Sequence, residues 1–229
     1  VIALSDKINL TDHGYMFAAG LRSLALIGLG EPETALREQQ RMIDFIINTR
    51  IDIPREILAL HQAYFAEITG NAAEAISLYK SISLRNKTDS YTLIATTAGL
   101  WRLGAHDNAK AILRKYQGGE LASEWLLHLY KTRQTKLLQQ LNLRQLFAQF
   151  IFEFNWFGSM PSGQSLILPR IHVALSIWPE LDLGQLILAQ TYFDQADYER
   201  AVDYLEQITG ISPYFNQAIM LKMEIARQT

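Results

Sequence analysis

The side chains best suited to chemistry in this sequence are five histidines, His13, His61, His106, His128 and His172, and no cysteine accompanies them. A zinc-type site usually needs ligands at short spacings such as His-x-x-x-His, which bring two imidazoles onto one helix face. No two of these histidines stand that close. Without cysteine there is no thiol nucleophile, no disulfide framework and no Cys-ligated cluster. Serine catalysis in its common form uses a Gly-x-Ser-x-Gly elbow, whereas Gly158-Ser159-Met160-Pro161-Ser162-Gly163 reads as a turn. Gly28-Leu29-Gly30 lacks the third glycine of a dinucleotide fingerprint, and Gly118-Gly119 lacks the Lys-Ser/Thr of a phosphate loop. The expectation is no metal, no cofactor and no catalytic residue.

Carboxylates are plentiful but poorly placed for acid–base work. Asp194, Asp197, Glu199, Asp203 and Glu206 crowd together with Arg200 among them. A catalytic pair needs exclusion from water so that its two pKa values separate, and this stretch reads as a solvated helix face. Glu153 differs, because it stands between Phe152 and Phe154. Its expected place is the polar edge of an amphipathic helix.

The elements that carry these residues are helical nearly throughout. The chain has 229 residues, 49% of them hydrophobic, enough for one large core or two small ones. Its 21 basic and 23 acidic residues give a net charge of −2, which argues against a nucleic-acid binder of the basic-domain kind. The most membrane-like stretch, Gly14 to Gly30, carries Arg22 in its middle and falls short of a span of roughly 20 residues. Burial by neighbouring helices accounts for it, and for the aromatic stretch Phe147 to Phe157, better than lipid does. The chain opens on Val1 without a signal peptide, so a longer parent protein is admissible. Cytoplasm is the first expectation for its compartment, with a periplasmic or membrane-tethered parent as the alternative.

A turn-and-alanine device recurs along the chain. Gly30-Glu31-Pro32-Glu33-Thr34-Ala35, Gly70-Asn71-Ala72-Ala73-Glu74-Ala75 and Gly104-Ala105-His106-Asp107-Asn108-Ala109 share it, and Ala196-Asp197-Tyr198-Glu199-Arg200-Ala201 repeats it without the glycine. The first residue permits a tight turn. The closing alanine lets the second helix lie close on the first. Pro54 after Asp52, Ser90 and Asp182 are the expected helix-start signals. Stacked helical hairpins of this length bury a shared face and form a solenoid.

On these residues the chain resembles the tetratricopeptide repeat family. The clearest repeats are about 55–88, 90–122 and 182–215. In the last, Ala189, Tyr192, Ala201, Leu205, Ile208 and Pro213 fall at the family's positions, although Ala196 stands where glycine is usual. Residues 55–88 match through Ala63, Gly70, Ala75, Tyr79 and Ile82, with Lys87 in place of the terminating proline. Residues 90–122 match through Leu93, Gly104, Ala109 and Leu113. The expected fold is an all-α, tetratricopeptide-like α-solenoid of antiparallel helical hairpins. It is expected to form a single domain over 1–229, with a degenerate or inserted helical region at about 120–180.

The resemblance implies a concave groove lined by first helices. Carried onto this chain, it assigns Tyr64, Glu67, Tyr91, Ile94, Trp101, Arg102, Gln190, Phe193 and Asp194 to a partner-binding surface, with Tyr64, Tyr91, Trp101 and Phe193 as anchors. Arg102 is the one cation at these positions, which fits an apolar helix or extended peptide better than a clamped carboxylate. The alternative is that helices from residues 141–178 fill the groove. The implied function is a non-enzymatic scaffold or adaptor for another protein. The competing readings are a sensing segment of a larger regulator and a non-catalytic subunit or maturation factor of an enzyme complex. Self-association is a further expectation, and nucleic acid is not an expected partner.

Overall fold

A computed structural model describes residues 12–49, 54–82, 90–116, 120–132, 138–157 and 167–229. The described residues form helices and no strand. In chain order these are α1 (Asp12–Gly28), α2 (Pro32–Thr49), α3 (Arg55–Ile68), α4 (Ala72–Ser81), α5 (Ser90–Arg102) and α6 (His106–Lys115). There follow α7 (Glu120–Thr132), α8 (Leu143–Phe157), α9 (Ile167–Ile177), α10 (Asp182–Asp194), α11 (Tyr198–Glu206) and α12 (Phe215–Gln228). Neighbours pair as hairpins: α1 with α2, α3 with α4, α5 with α6, α8 with α9, and α10 with α11. Among the described residues no helix is long and apolar enough to cross a membrane.

Four of the hairpin turns are one structure repeated. Gly30, Gly70 and Gly104 have φ of 78°, 82° and 79°, and Ala196 has φ of 58°. In each, the next residue's N–H reaches five residues back, as Asn71 to Ala66 O (2.8 Å), Ala105 to Leu100 O (2.8 Å) and Asp197 to Tyr192 O (2.9 Å). This double-bonded left-handed cap satisfies the orphan carbonyls at the helix end. Beyond each turn, Ala35, Ala75, Ala109 and Ala201 are 0% exposed, so a larger residue there would separate the paired helices.

Ala196 carries a cost that its three counterparts avoid, since a Cβ is disfavoured in the left-handed region. Replacing Ala196 with glycine should stabilise the chain by about 0.5 kcal/mol, after discount for the greater freedom of unfolded glycine. Gly70→Ala and Gly104→Ala should each destabilise by about 1 kcal/mol. A new Cβ at either glycine meets nothing within 4 Å, so the backbone alone would set the loss. Chemical denaturation of the three variants measures all of this.

The helix-start signals hold less well. Pro54 is the cap residue of α3, and Asp52 lies outside the described residues. Ser90 and Asp182 are the first residues of their helices rather than caps; Leu181 takes the cap position of α10 and makes no side-chain cap bond. The 158–163 turn also lies outside the described residues.

The stacking does not run on in simple succession. α5 is buried at every position from Tyr91 to Leu100, as befits a helix covered on all sides. It packs on α3, α4, α6 and α7. α8 then returns to lie against α1 and α3. Gly20 of α1 makes this approach feasible: a Cβ there would stand 2.0 Å from Cζ of Phe150 on α8. The Phe150 ring stacks on Phe17 with centroids 5.9 Å apart and meets His61 edge-on at 5.3 Å. α9 leads on to α10, and α12 covers α10 and α11. Tyr214, just before α12, joins the buried cluster of Leu93, Ile94, Ala98, Leu126, Leu129 and Tyr130, so the last repeat folds back onto α5 and α7.

Candidate functional site

Where α8 meets α3 and α5, five polar side chains are buried together. Gln149 of α8 places its amide nitrogen 2.5 Å from the Tyr64 hydroxyl and 2.6 Å from that of Tyr91. The same nitrogen lies 3.2 Å from Oε1 of Glu153, one helical turn on. Glu153 Oε2 in turn lies 2.5 Å from Nε2 of His61. Glu153 is 0% exposed, which corrects its expected place at the polar edge of a helix. Isolated carboxylates are expelled from such sites, and this one stays because His61 faces it from α3. Burial pushes the Glu153 carboxyl above the usual range, with His61 opposing that effect. The Tyr64 hydroxyl is raised well above its ordinary value, first by burial and then by the Glu153 charge.

A second buried pair lies one turn along α3. Arg102 of α5 donates through Nε and Nη2 to Glu67 at 2.6 Å and 2.8 Å, a two-pronged ion pair. Tyr79 of α4 donates its hydroxyl to the same carboxylate at 2.7 Å. Burial works against the Arg102 charge, but the Glu67 bonds overcome it and hold the guanidinium above its ordinary value.

Beside these groups opens a cavity of about 310 Å³. Its deep walls are Tyr64, Tyr91, Ile94, Ala95, Ala98, Leu181 and Tyr214, all buried. Its rim is formed by the exposed Gln139, Pro179, Glu180, Gln207, Thr209 and Ile211. Gln145, Gln149, Arg102, Asp182, Leu183 and Trp178 also line it. The turn carrying Trp178 and Pro179 is held on α8, where Arg144 Nε donates to the Ile177 carbonyl. Gln185 donates to the Pro179 carbonyl at 2.9 Å.

The groove positions assigned from sequence divide accordingly. Tyr64, Tyr91, Ile94 and Arg102 line the cavity, and Glu67 anchors Arg102 from behind. Trp101, Gln190, Phe193 and Asp194 do not line it. Trp101 stacks on His106, with centroids 4.5 Å apart, and meets Tyr130 at 5.3 Å. Gln190 donates to Asp194 at 2.8 Å on an exposed face, and Phe193 packs on Tyr198. Helix α8, which belongs to the 141–178 stretch named in the alternative expectation, lies against α1 and α3. Among the described residues no three His, Asp or Glu side chains group so as to hold a metal ion.

Hairpins stacked with left-handed caps and buried alanines define an all-α, tetratricopeptide-like helical repeat among the described residues. The model of the tetratricopeptide repeat family matches residues 185–215, from mid-α10 through α11 to the start of α12, so this segment is similar to one tetratricopeptide repeat. No curated protein matches the chain. Repeats of this family serve as protein-interaction scaffolds and are typically non-catalytic.

Proposed function

We propose that this chain is a non-enzymatic scaffold that holds an extended, largely apolar segment of a partner protein in the cavity between α3, α5, α8 and the 178–183 and 207–214 turns. The cavity's lining carries this reading. Its buried aromatic and apolar walls, in a space of about 310 Å³, can take the inserted side chains of such a segment. Over α1 and α3, moreover, the place of a partner helix is taken by α8. The glutamines at the rim and wall present amides that donate and accept, which matches the exposed N–H and C=O of an extended strand. Tyr91 and Tyr214 supply aromatic walls of the type that dominates peptide contacts.

Ala95→Leu tests the reading by filling the cavity from the α5 wall. Binding of an extended apolar peptide, followed by fluorescence anisotropy, should weaken at least about tenfold while the melting temperature holds within a few degrees. Equal binding by the filled variant would contradict the assignment. Trp101→Ala separates the two groove sectors. Because Trp101 packs on His106 and Tyr130 away from the cavity, its loss should lower stability by about 2–3 kcal/mol and leave the peptide affinity of the folded fraction unchanged.

A further inference from the structure

Resting on that peptide reading, the hydrogen bonds behind the cavity wall define what its occupant must present. Oε2 of Glu153 lies 2.5 Å from Nε2 of His61, and a contact that short requires a hydrogen between the two atoms, whichever of them carries it. Oε1 of the same carboxyl is therefore left as an acceptor. The Gln149 amide atom 3.2 Å from that oxygen must then donate, so it is the nitrogen. The network thus assigns the amide's orientation. This nitrogen has two hydrogens and three oxygens around it, those of Tyr64 at 2.5 Å, Tyr91 at 2.6 Å and Glu153. An amide nitrogen accepts no hydrogen bond, so Tyr64 cannot return its own hydroxyl hydrogen to Gln149. Among the described residues nothing else accepts that hydrogen. Tyr64 is 2% exposed and lines the cavity together with the apolar Ile94, Ala95 and Ala98. A buried hydroxyl hydrogen without an acceptor is costly, and the cavity is the space from which one can come.

We infer that Tyr64 selects the occupant by donating its hydroxyl to a main-chain carbonyl oxygen of the inserted segment, while Gln149 and Glu153 hold that hydroxyl in place. An extended segment carries carbonyls with no internal partner and can supply one, whereas a helix spends its own along the chain.

The test uses the whole chain and an end-blocked octapeptide with a leucine–phenylalanine–leucine core between serines, a core without side-chain carbonyls. Tyr64→Phe removes the hydroxyl alone. The two Gln149 hydrogens keep the oxygens of Tyr91 and Glu153, so the melting temperature should hold within a few degrees. Affinity should fall about tenfold, because the buried carbonyl loses its donor. Three further peptides each replace one core amide by an ester, whose carbonyl accepts more weakly. One ester should bind the native chain several-fold more weakly than the other two, and that difference should vanish in Tyr64→Phe. Equal binding of the parent peptide by the native chain and the variant overturns the inference and leaves the peptide reading standing. A loss in the variant with no ester singled out overturns it too, since the hydroxyl then acts only on the fold. If Tyr64→Phe does not fold, the ester series on the native chain decides alone, and uniform affinities overturn the inference. If no peptide binds, the peptide reading falls and takes the inference with it.

Discussion

Gly20→Val should lower the free energy of unfolding by about 3–5 kcal/mol, the largest effect expected from adding a side chain anywhere in α1. The Cβ alone would stand 2.0 Å from Phe150 Cζ and within 2.8 Å of two further ring atoms. The Phe150 ring is nearly fully buried against Phe17 and His61, and the cavity beside it, about 20 Å³, is far smaller than the ring. Either α8 lifts from α1 or the ring leaves its site, and each forfeits the burial of a large aromatic. Phe150→Ala alone should cost a similar 3–5 kcal/mol by leaving a cavity. The two changes share one space, so Gly20→Ala with Phe150→Ala should cost less than the sum of the single losses. A double-mutant cycle by urea denaturation measures the coupling, expected at about 1–3 kcal/mol. Strict additivity would mean that α8 does not rest on Gly20.

The second large effect concerns Glu153. Glu153→Ala removes the carboxylate that faces His61 and Gln149, and should cost about 3–5 kcal/mol, as breaking one side of a buried charged contact does. Glu153→Gln keeps the shape and much of the hydrogen bonding, so its loss should be smaller. The two chains should also differ with pH. Burial raises the folded-state pKa of Glu153 above its unfolded value, so folding takes up a proton in the window between them. This group's contribution is therefore most favourable below the unfolded value, near 4.5, and declines as pH rises through the folded one. The glutamine variant has no such dependence and should gain on the native chain from about pH 4.5 toward neutrality. Paired denaturation curves across that range check the sign, and a gap that closes in the opposite direction would show that His61, not burial, dominates.

The repeat register was legible because it depends on local chemistry. Glycine in a left-handed turn and alanine at a close helix crossing are required by neighbours a few positions away, so Gly30, Gly70, Gly104 and their alanines can be read without a structure. Ala196 is the instructive exception. It adopts the same backbone without the residue that signals it, and the register survives through Ala201 and the family pattern around it.

Tyr64, Glu67, Tyr91 and Arg102 were assigned to one surface by the family resemblance, and the structure links Tyr64 to Tyr91 through Gln149 and Glu67 to Arg102 directly. The place of α8 stayed open, since the sequence offered residues 141–178 only as the alternative cover of the groove. An aromatic helix shows by its periodicity that it is buried, but the pattern is the same whether it packs on the next hairpin or on one more than a hundred residues back. Gln149 gave no signal for the same reason, since its tyrosine partners stand 85 and 58 positions away. Glu153 was misplaced because a carboxylate among phenylalanines looks like a helix edge until His61 is set opposite it. Trp101 and Phe193 were given anchor roles by type, while their ring contacts follow from His106 and Tyr198.

The central claim is that a partner segment enters the cavity while α8 stays seated on α1 and α3. Hydrogen–deuterium exchange of the whole chain, with and without a saturating apolar peptide, addresses it directly. The account predicts slower exchange in the 178–183 and 207–214 turns and unchanged protection through α8 around Gln149. Faster exchange in α8 together with new protection along α1 and α3 would contradict it, because the peptide would then be displacing α8 from the groove.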